Sequence, residues 1–207
     1  GNMEAVMPLI RKIAYREGIG DILAEGSLRA ARRIGKGAEE YVPIKNWTVG
    51  EAFDLSSNLS GPTMREKYLT KEHACANCPV ACKRVVKVDD GPYMTEEGPG
   101  PEYETCGTFG TMMMNPDLAA VIKANELCNR YGLDTISCGS TIALAMELYE
   151  KGILSKGDLD GIDLTWGNME AVMPLIRKIA YREGIGDILA EGSLRAARRI
   201  GKGAEEY

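Results

Sequence analysis

Three of the six cysteines fall within eight residues, as Cys75-Ala-Asn-Cys78-Pro-Val-Ala-Cys82. Thiolates this close can be gathered by one tight loop onto a single metal centre. Tetrahedral zinc and a 4Fe–4S cluster each take four protein ligands, so this C-x2-C-x3-C stretch supplies three of them. Disulfide bonding is the competing use of the same residues. The first residues show no charged-then-apolar leader, so a reducing, cytoplasmic setting is expected, which favours metal over disulfide. Cys106, 24 residues beyond Cys82, is a further candidate for the fourth position, whereas Cys128 and Cys138 read as small buried side chains on helices. His73 is the sole histidine, to be read as a ligand, a proton shuttle or a hydrogen-bonding neighbour of the motif. The lack of a second histidine argues against His-rich zinc catalysis and against a Ser-His-Asp triad.

The second signal is a run of one charge. Between Asp89 and Thr105 stand Asp89, Asp90, Glu96, Glu97, Glu102 and Glu104, with no basic residue. The stretch Gly98-Pro99-Gly100-Pro101-Glu102-Tyr103-Glu104-Thr105 alternates stiff and sharply turning residues. A loop of this kind can hold a carboxylate in a cleft, where desolvation raises its pKa and equips it as a general base. The plainer reading is a solvated acidic loop.

Positioning these groups falls mainly to helices. Asn115-Pro116-Asp117 is a helix start, a cap followed by a first-turn proline, and the helix should run to about Tyr131 and stop at Gly132. Another should run from Thr135 or Ser137 to Lys151 and stop at Gly152. A short helix is expected over Thr63–Leu69, and loops over 153–167. Val6, Leu9, Ile10, Ile13 and Ala14 share a helical face, with Asn2 as cap, Pro8 as a kink and Gly18 and Gly20 as the stop. Asp21 would then cap one further helix through Ile34. Met112-Met113-Met114 reads as adaptable core filling. Val85–Val88 is the one strand candidate. The fold class expected is all-α: a multihelical domain with an irregular cysteine-bearing loop region and little or no sheet. The net charge of −5 is wrong for a nucleic-acid partner, and no apolar run is long enough to span a membrane.

Residues 1–41 are identical to residues 167–207 at every position. Natural repeats diverge and stack on their neighbours, so a perfect copy beyond a unique middle segment is a recent duplication or a permuted or engineered arrangement. The chain divides into a duplicate, 1–41, and a domain, 42–207. If the fold has one slot for this helical pair, the copies compete for it, and a domain-swapped homo-oligomer is one outcome. A duplication with no functional meaning is the other.

Three segments together resemble the tungsten- or molybdenum-pterin aldehyde:ferredoxin oxidoreductases. They are Cys75-x2-Cys78-Pro-x2-Cys82, Gly100-Pro101-Glu102-Tyr103-Glu104-Thr105, and Asn125-Glu126-Leu127-Cys128-Asn129-Arg130-Tyr131-Gly132-Leu133-Asp134-Thr135-Ile136-Ser137. The closing Arg182-Glu183-Gly184-Ile185-Gly186-Asp187-Ile188-Leu189-Ala190-Glu191-Gly192 is also typical. The resemblance spans 42–207 and covers the helical middle of such an enzyme, without its N-terminal β-rich pterin domain or its C-terminal helical domain. It implies that Cys75, Cys78 and Cys82 bind a 4Fe–4S cluster whose fourth cysteine belongs to the C-terminal domain. It also implies that Glu102, and less directly Glu104, is the carboxylate near the metal. The family's pterin-contacting Asp-x-x-Gly-Leu-Asp/Cys falls on Asn129, Gly132, Leu133 and Asp134. Asparagine at the first position can still accept a hydrogen bond from the pterin but loses the charge-assisted part. The implied activity is oxidation of an aldehyde by water to a carboxylate, the cluster passing electrons singly to ferredoxin. The alternative is a non-catalytic helical fragment that at most binds a metal through three cysteines.

Overall fold

The computed structural model describes residues 8, 43–49, 57–76 and 83–207. Apart from Pro8, the first copy of the duplicated segment lies outside the described residues, and so do Cys78 and Cys82.

Seven α-helices and a three-stranded sheet make up the regular structure among the described residues, the mostly helical class that the sequence implies. In chain order they are α1 (Gly61–Lys67), β1 (Leu69–His73), β2 (Lys83–Val86), β3 (Gly98–Pro99), α2 (Tyr103–Phe109), α3 (Leu118–Tyr131), α4 (Thr135–Glu150), α5 (Met169–Tyr181), α6 (Ile185–Leu189) and α7 (Ser193–Ile200).

Helix α3 starts where the Asn-Pro-Asp signal stands, but its cap is Asp117, whose carboxylate accepts from the Ala119 N–H at 2.9 Å. Pro116 biases the residue before it away from helical geometry. Asn115 serves instead as a buried brace, accepting from the Asp117 N–H at 2.9 Å and donating to the Phe109 carbonyl at 3.0 Å. Gly132, at φ 69°, closes α3 in the left-handed region that glycine enters freely. Helix α4 is the central element: Ile142, Ala143, Ala145, Met146 and Leu148 are all fully buried.

The C-terminal helical pair departs from expectation in two places. Helix α5 is capped by Asn168 and runs through Pro174, yet it stops at Arg182 (φ 54°), two residues before the first glycine. The helix expected beyond it is broken into α6 and α7, because Gly192 sits at φ 83°. Asp187 is no cap. Its carboxylate binds Arg182 at 3.0 Å and Arg199 at 2.9 Å.

The sheet is small, as expected. Strand β2 falls at the Val85–Val86 candidate, and β1 begins at Leu69, the last residue of the expected Thr63–Leu69 helix, which itself ends at Lys67. The Leu-Thr-Lys-Glu-His sequence of β1 carries no buried alternation, and four of its five residues are exposed. Both pairings are antiparallel, with Leu69 opposite Val86, His73 opposite Lys83, and Val85 opposite Pro99. Val86 turns into the core, which also takes Met64, Phe109, Met113, Val121, Leu175 and Ile176. Each such fully buried apolar side chain contributes about 1.5–3 kcal/mol relative to exposure.

Candidate cofactor site

The three motif cysteines belong to the connection of a β-hairpin. Strands β1 and β2 pair directly, and residues 74–82 join them. The His73–Lys83 pair closes this connection, so its two ends stand one strand spacing apart, about 5 Å. Cys75 is exposed and carries a free thiol. Among the described residues, no three His, Cys, Asp or Glu side chains converge in the manner of a metal site.

From the hairpin the chain leads to the Pro-Glu-Tyr-Glu-Thr segment. Arg84, second residue of β2, donates from Nη2 to Glu102 Oε2 at 2.6 Å and to the Pro101 carbonyl at 3.4 Å. Its own carbonyl accepts from the Gly100 N–H at 2.8 Å. A Cβ on Gly100 would stand 3.1 Å from Val86 Cγ1 and 3.3 Å from the Arg84 carbonyl oxygen, so a side chain here would require its neighbours to shift. On the other side, Asn125 Nδ2 donates to the Pro99 carbonyl at 2.8 Å. Residues 99–102 are thereby pinned between β2 and α3. Glu102 sits at the start of α2 without capping it, so its carboxylate is free to serve Arg84. Glu104, one residue into α2, is exposed and takes no part in that pair. Arg84 Nε is buried and has no hydrogen-bond partner among the described residues, an arrangement that costs about 1–3 kcal/mol in a folded protein.

The remaining acidic run is largely surface pairing. Glu97 accepts from the Thr70 hydroxyl at 2.7 Å and pairs with Lys71 at 3.1 Å, contacts that hold its carboxyl below the usual range. Asp89 pairs with Lys87 at 2.6 Å. Exposed pairs of this kind contribute little; of the six carboxylates, Glu97 and Glu102 are tied to the cysteine-bearing hairpin, Glu97 to the exposed β1 and Glu102 to the largely buried Arg84 of β2. Cys106 lies buried in α2 close to the same ion pair. Burial pushes its thiol up to about 12, with Arg84 easing the shift and Glu102 adding to it, and it stays a neutral thiol.

The Asn129–Asp134 motif is divided between two cavities. Gly132, Leu133 and Asp134 line one of about 200 Å³, together with Ser137, Thr141 and the α6–α7 junction at Leu189–Gly192. Asn129 lines another, of about 280 Å³, between α3 and the Glu96–Pro99 stretch. Asp134 caps α4, accepting from the Ser137 N–H at 2.7 Å; the Ser137 hydroxyl and amide hold its carboxyl below the ordinary carboxylate range. Cys138 also borders the smaller cavity. Its thiol meets that of Cys128, and that contact together with burial pushes its pKa up, so both act as the buried structural cysteines expected of them. Arg84 and Asn125 were not singled out as site residues in the sequence. Arg84's place two residues after Cys82 was the available signal, and Asn125's was the start of the third family segment.

The pattern of the family described as "Aldehyde ferredoxin oxidoreductase, domains 2 & 3" matches residues 1–43 and residues 38–207, and the chain belongs to this family. The tungsten-containing aldehyde ferredoxin oxidoreductase of Pyrococcus furiosus is 44% identical over 160 residues, covering 77% of this chain and 26% of that protein. Its counterpart in Thermococcus kodakarensis is 45% identical over the same length, with the same coverage. The WOR-like subunit of an aliphatic sulfonate oxidoreductase from Pyrococcus furiosus is 34% identical over 183 residues, 84% of this chain and 29% of that one. Among solved structures, the active-site complex BamBC of benzoyl-coenzyme A reductase with 1,5-dienoyl-CoA shares the fold at a TM-score of 0.66 and 30% identity, over 83% of this chain and 25% of that chain. The chain thus spans about a quarter of the length of the relatives it matches. No helix among the described residues is long and apolar enough to cross a membrane.

Proposed function

We propose that this chain is the cluster-bearing and pterin-facing helical part of an oxidoreductase that converts aldehydes to carboxylates and delivers the electrons to ferredoxin. The observation that carries the reading is the Arg84–Glu102 contact, which joins the three-cysteine hairpin to a carboxylate at the start of α2. Cys75, Cys78 and Cys82 would hold three corners of a 4Fe–4S cluster; three thiols in one hairpin connection suit it and leave one position for a ligand from elsewhere. The smaller cavity suits the polar edge of a flat heterocycle. It offers the Ser137 and Thr141 side chains, and nothing lies within 4 Å of where a Gly132 side chain would stand. Gly132, Leu133 and Asp134 would meet a tungsten- or molybdenum-pterin there, with Asn129 contributing from the neighbouring cavity. Such a centre, when bound, supplies the two-electron acceptor.

Oxidation of an aldehyde by water to a carboxylate releases two electrons and three protons. Glu102 is our candidate to take one of those protons as water adds to the carbonyl, held in orientation by Arg84; Glu104 is a second, outer carboxylate. Aldehydes are favoured as substrates because the aldehyde enzymes share 44–45% identity with the chain, against 34% for the sulfonate enzyme. The free thiols of Cys75, Cys106, Cys128 and Cys138 accord with a reducing, cytoplasmic setting. The domain boundary we assign is at 41/42, between the leading copy and the 42–207 domain.

Iron and acid-labile sulfide analysis of anaerobically purified chain tests the reading. Iron and sulfide that disappear together when Cys78 and Cys82 become serine support it. Well-folded, metal-free protein supports the non-catalytic helical fragment instead. Aldehyde-dependent reduction of ferredoxin by the longer protein containing this sequence tests the activity.

A further inference from the structure

We infer that Arg84 is the positioning residue that couples the cysteine hairpin to Glu102, its Nη2 holding the carboxylate while its buried Nε–H is kept for a sulfur acceptor that the loaded hairpin supplies. The inference rests on the reading of Cys75, Cys78 and Cys82 as cluster ligands.

Arg84 follows Cys82 by two residues and is fixed in β2 opposite Glu72. Its guanidinium has little freedom. Nη2 is committed to Glu102 and Pro101, the backbone beneath is bonded to Gly100, and the side chain is only 14% exposed. Buried donors in folded proteins find acceptors, yet Nε has none among the described residues. Glu102 Oε2 and the Pro101 carbonyl both bond Nη2 and not Nε, and the Cys106 thiol is neutral, a weak acceptor. A cluster bound two residues away brings thiolate and inorganic sulfur that accept N–H donors, and hydrogen bonds to those sulfurs help set its potential. Only a guanidinium can meet both demands at once, because its fork holds a carboxylate on one arm and keeps Nε–H for another acceptor; a lysine offers a single point charge.

The signs of the electrostatics follow. Reduction adds negative charge to the cluster. A cationic donor beside the sulfurs favours the reduced state, and the Glu102 carboxylate on its far side opposes it. Arg84 therefore raises the midpoint potential and Glu102 lowers it.

The full chain and its Arg84→Met, Arg84→Lys and Glu102→Gln variants are reconstituted anaerobically with iron and sulfide. Iron and labile sulfide per chain are measured, and the midpoint is read by redox titration followed by electron paramagnetic resonance. At equal iron content, Arg84→Met should move the midpoint to more negative values and Glu102→Gln to more positive ones. Arg84→Lys, which keeps the charge and loses the fork, should lie between wild type and Arg84→Met. An Arg84→Met chain that loads fully with an unchanged midpoint, or one that moves the same way as Glu102→Gln, overturns the inference. If Arg84→Met does not fold, unchanged midpoints in both Arg84→Lys and Glu102→Gln overturn it just as well. A wild-type chain that takes up no iron overturns the cluster reading and this inference together, whereas cysteine-dependent loading with a midpoint indifferent to Arg84 overturns this inference alone.

Discussion

Asp134 holds two roles in one side chain. It caps α4, and it borders the cavity that we assign to the pterin. Removing a cap costs typically about 1 kcal/mol. Asp134→Ala should lose that much in chemical denaturation, while Asp134→Asn should keep most of it and still alter the cavity rim. Asp160 invites a pH test. Its carboxylate accepts from Lys178 Nζ at 2.9 Å and from the Ile185 N–H at 3.0 Å, and the lysine first, then the amide, hold its pKa below the ordinary carboxylate value. A folded-state pKa below the unfolded value, near ~3.9, gives stability that is fully present above that value and fades as pH falls through the folded pKa. Wild type should therefore lead Asp160→Asn at neutral pH and lose that lead in an acid titration of unfolding. Gly139 is a packing test: a Cβ there would lie 2.6 Å from Thr108 Cβ, where α4 crosses α2, so Gly139→Ala should cost about 1–3 kcal/mol.

Helices α3 and α4 were legible because local chemistry announces both ends: a cap, an apolar run, and a glycine in the left-handed region or a loss of pattern. Strand β1 was not. Nothing in Leu-Thr-Lys-Glu-His alternates, and only its partner β2 makes it a strand. The α6–α7 break was hidden because the apolar spacing continues across Gly192, while the backbone at φ 83° does not. Of the site, the cysteine run was visible as a motif, but the residue that ties it to Glu102 lies in a strand whose pairing a sequence does not display. The duplicated element can be interrogated directly. Leu175 of α5 is fully buried, and Leu9 is its counterpart in the leading copy. If 167–207 holds the slot, Leu175→Ala should destabilise the chain and Leu9→Ala should leave it nearly unchanged. The leading copy can replace a weakened one, so the double variant should show the full cost of about 2–5 kcal/mol and Leu175→Ala alone less.

For the molecule as a whole, a copy left out of its slot must find another. The apolar residues that α5 buries, among them Val172, Leu175, Ile176 and Ile179, recur unchanged in residues 1–41, and leaving such a face in water is unfavourable. Exchange of that segment between chains should give a dimer whose proportion rises with concentration in analytical ultracentrifugation, and deletion of 1–41 should leave a folded monomer. If that deletion unfolds the chain while removal of 167–207 does not, the leading copy is the one that completes the fold.

The small sheet narrows the ways in which such association can occur. An open strand edge invites further strands and, repeated, leads to fibrils. Here β1 is short, irregular between Leu69 and Lys71, and lined with Lys71, Glu72 and His73, while β3 is only two residues long. Neither border offers a template for growth. Association of native chains through this sheet should not propagate, and assemblies formed by way of its edges should lack the inter-strand diffraction spacing of amyloid.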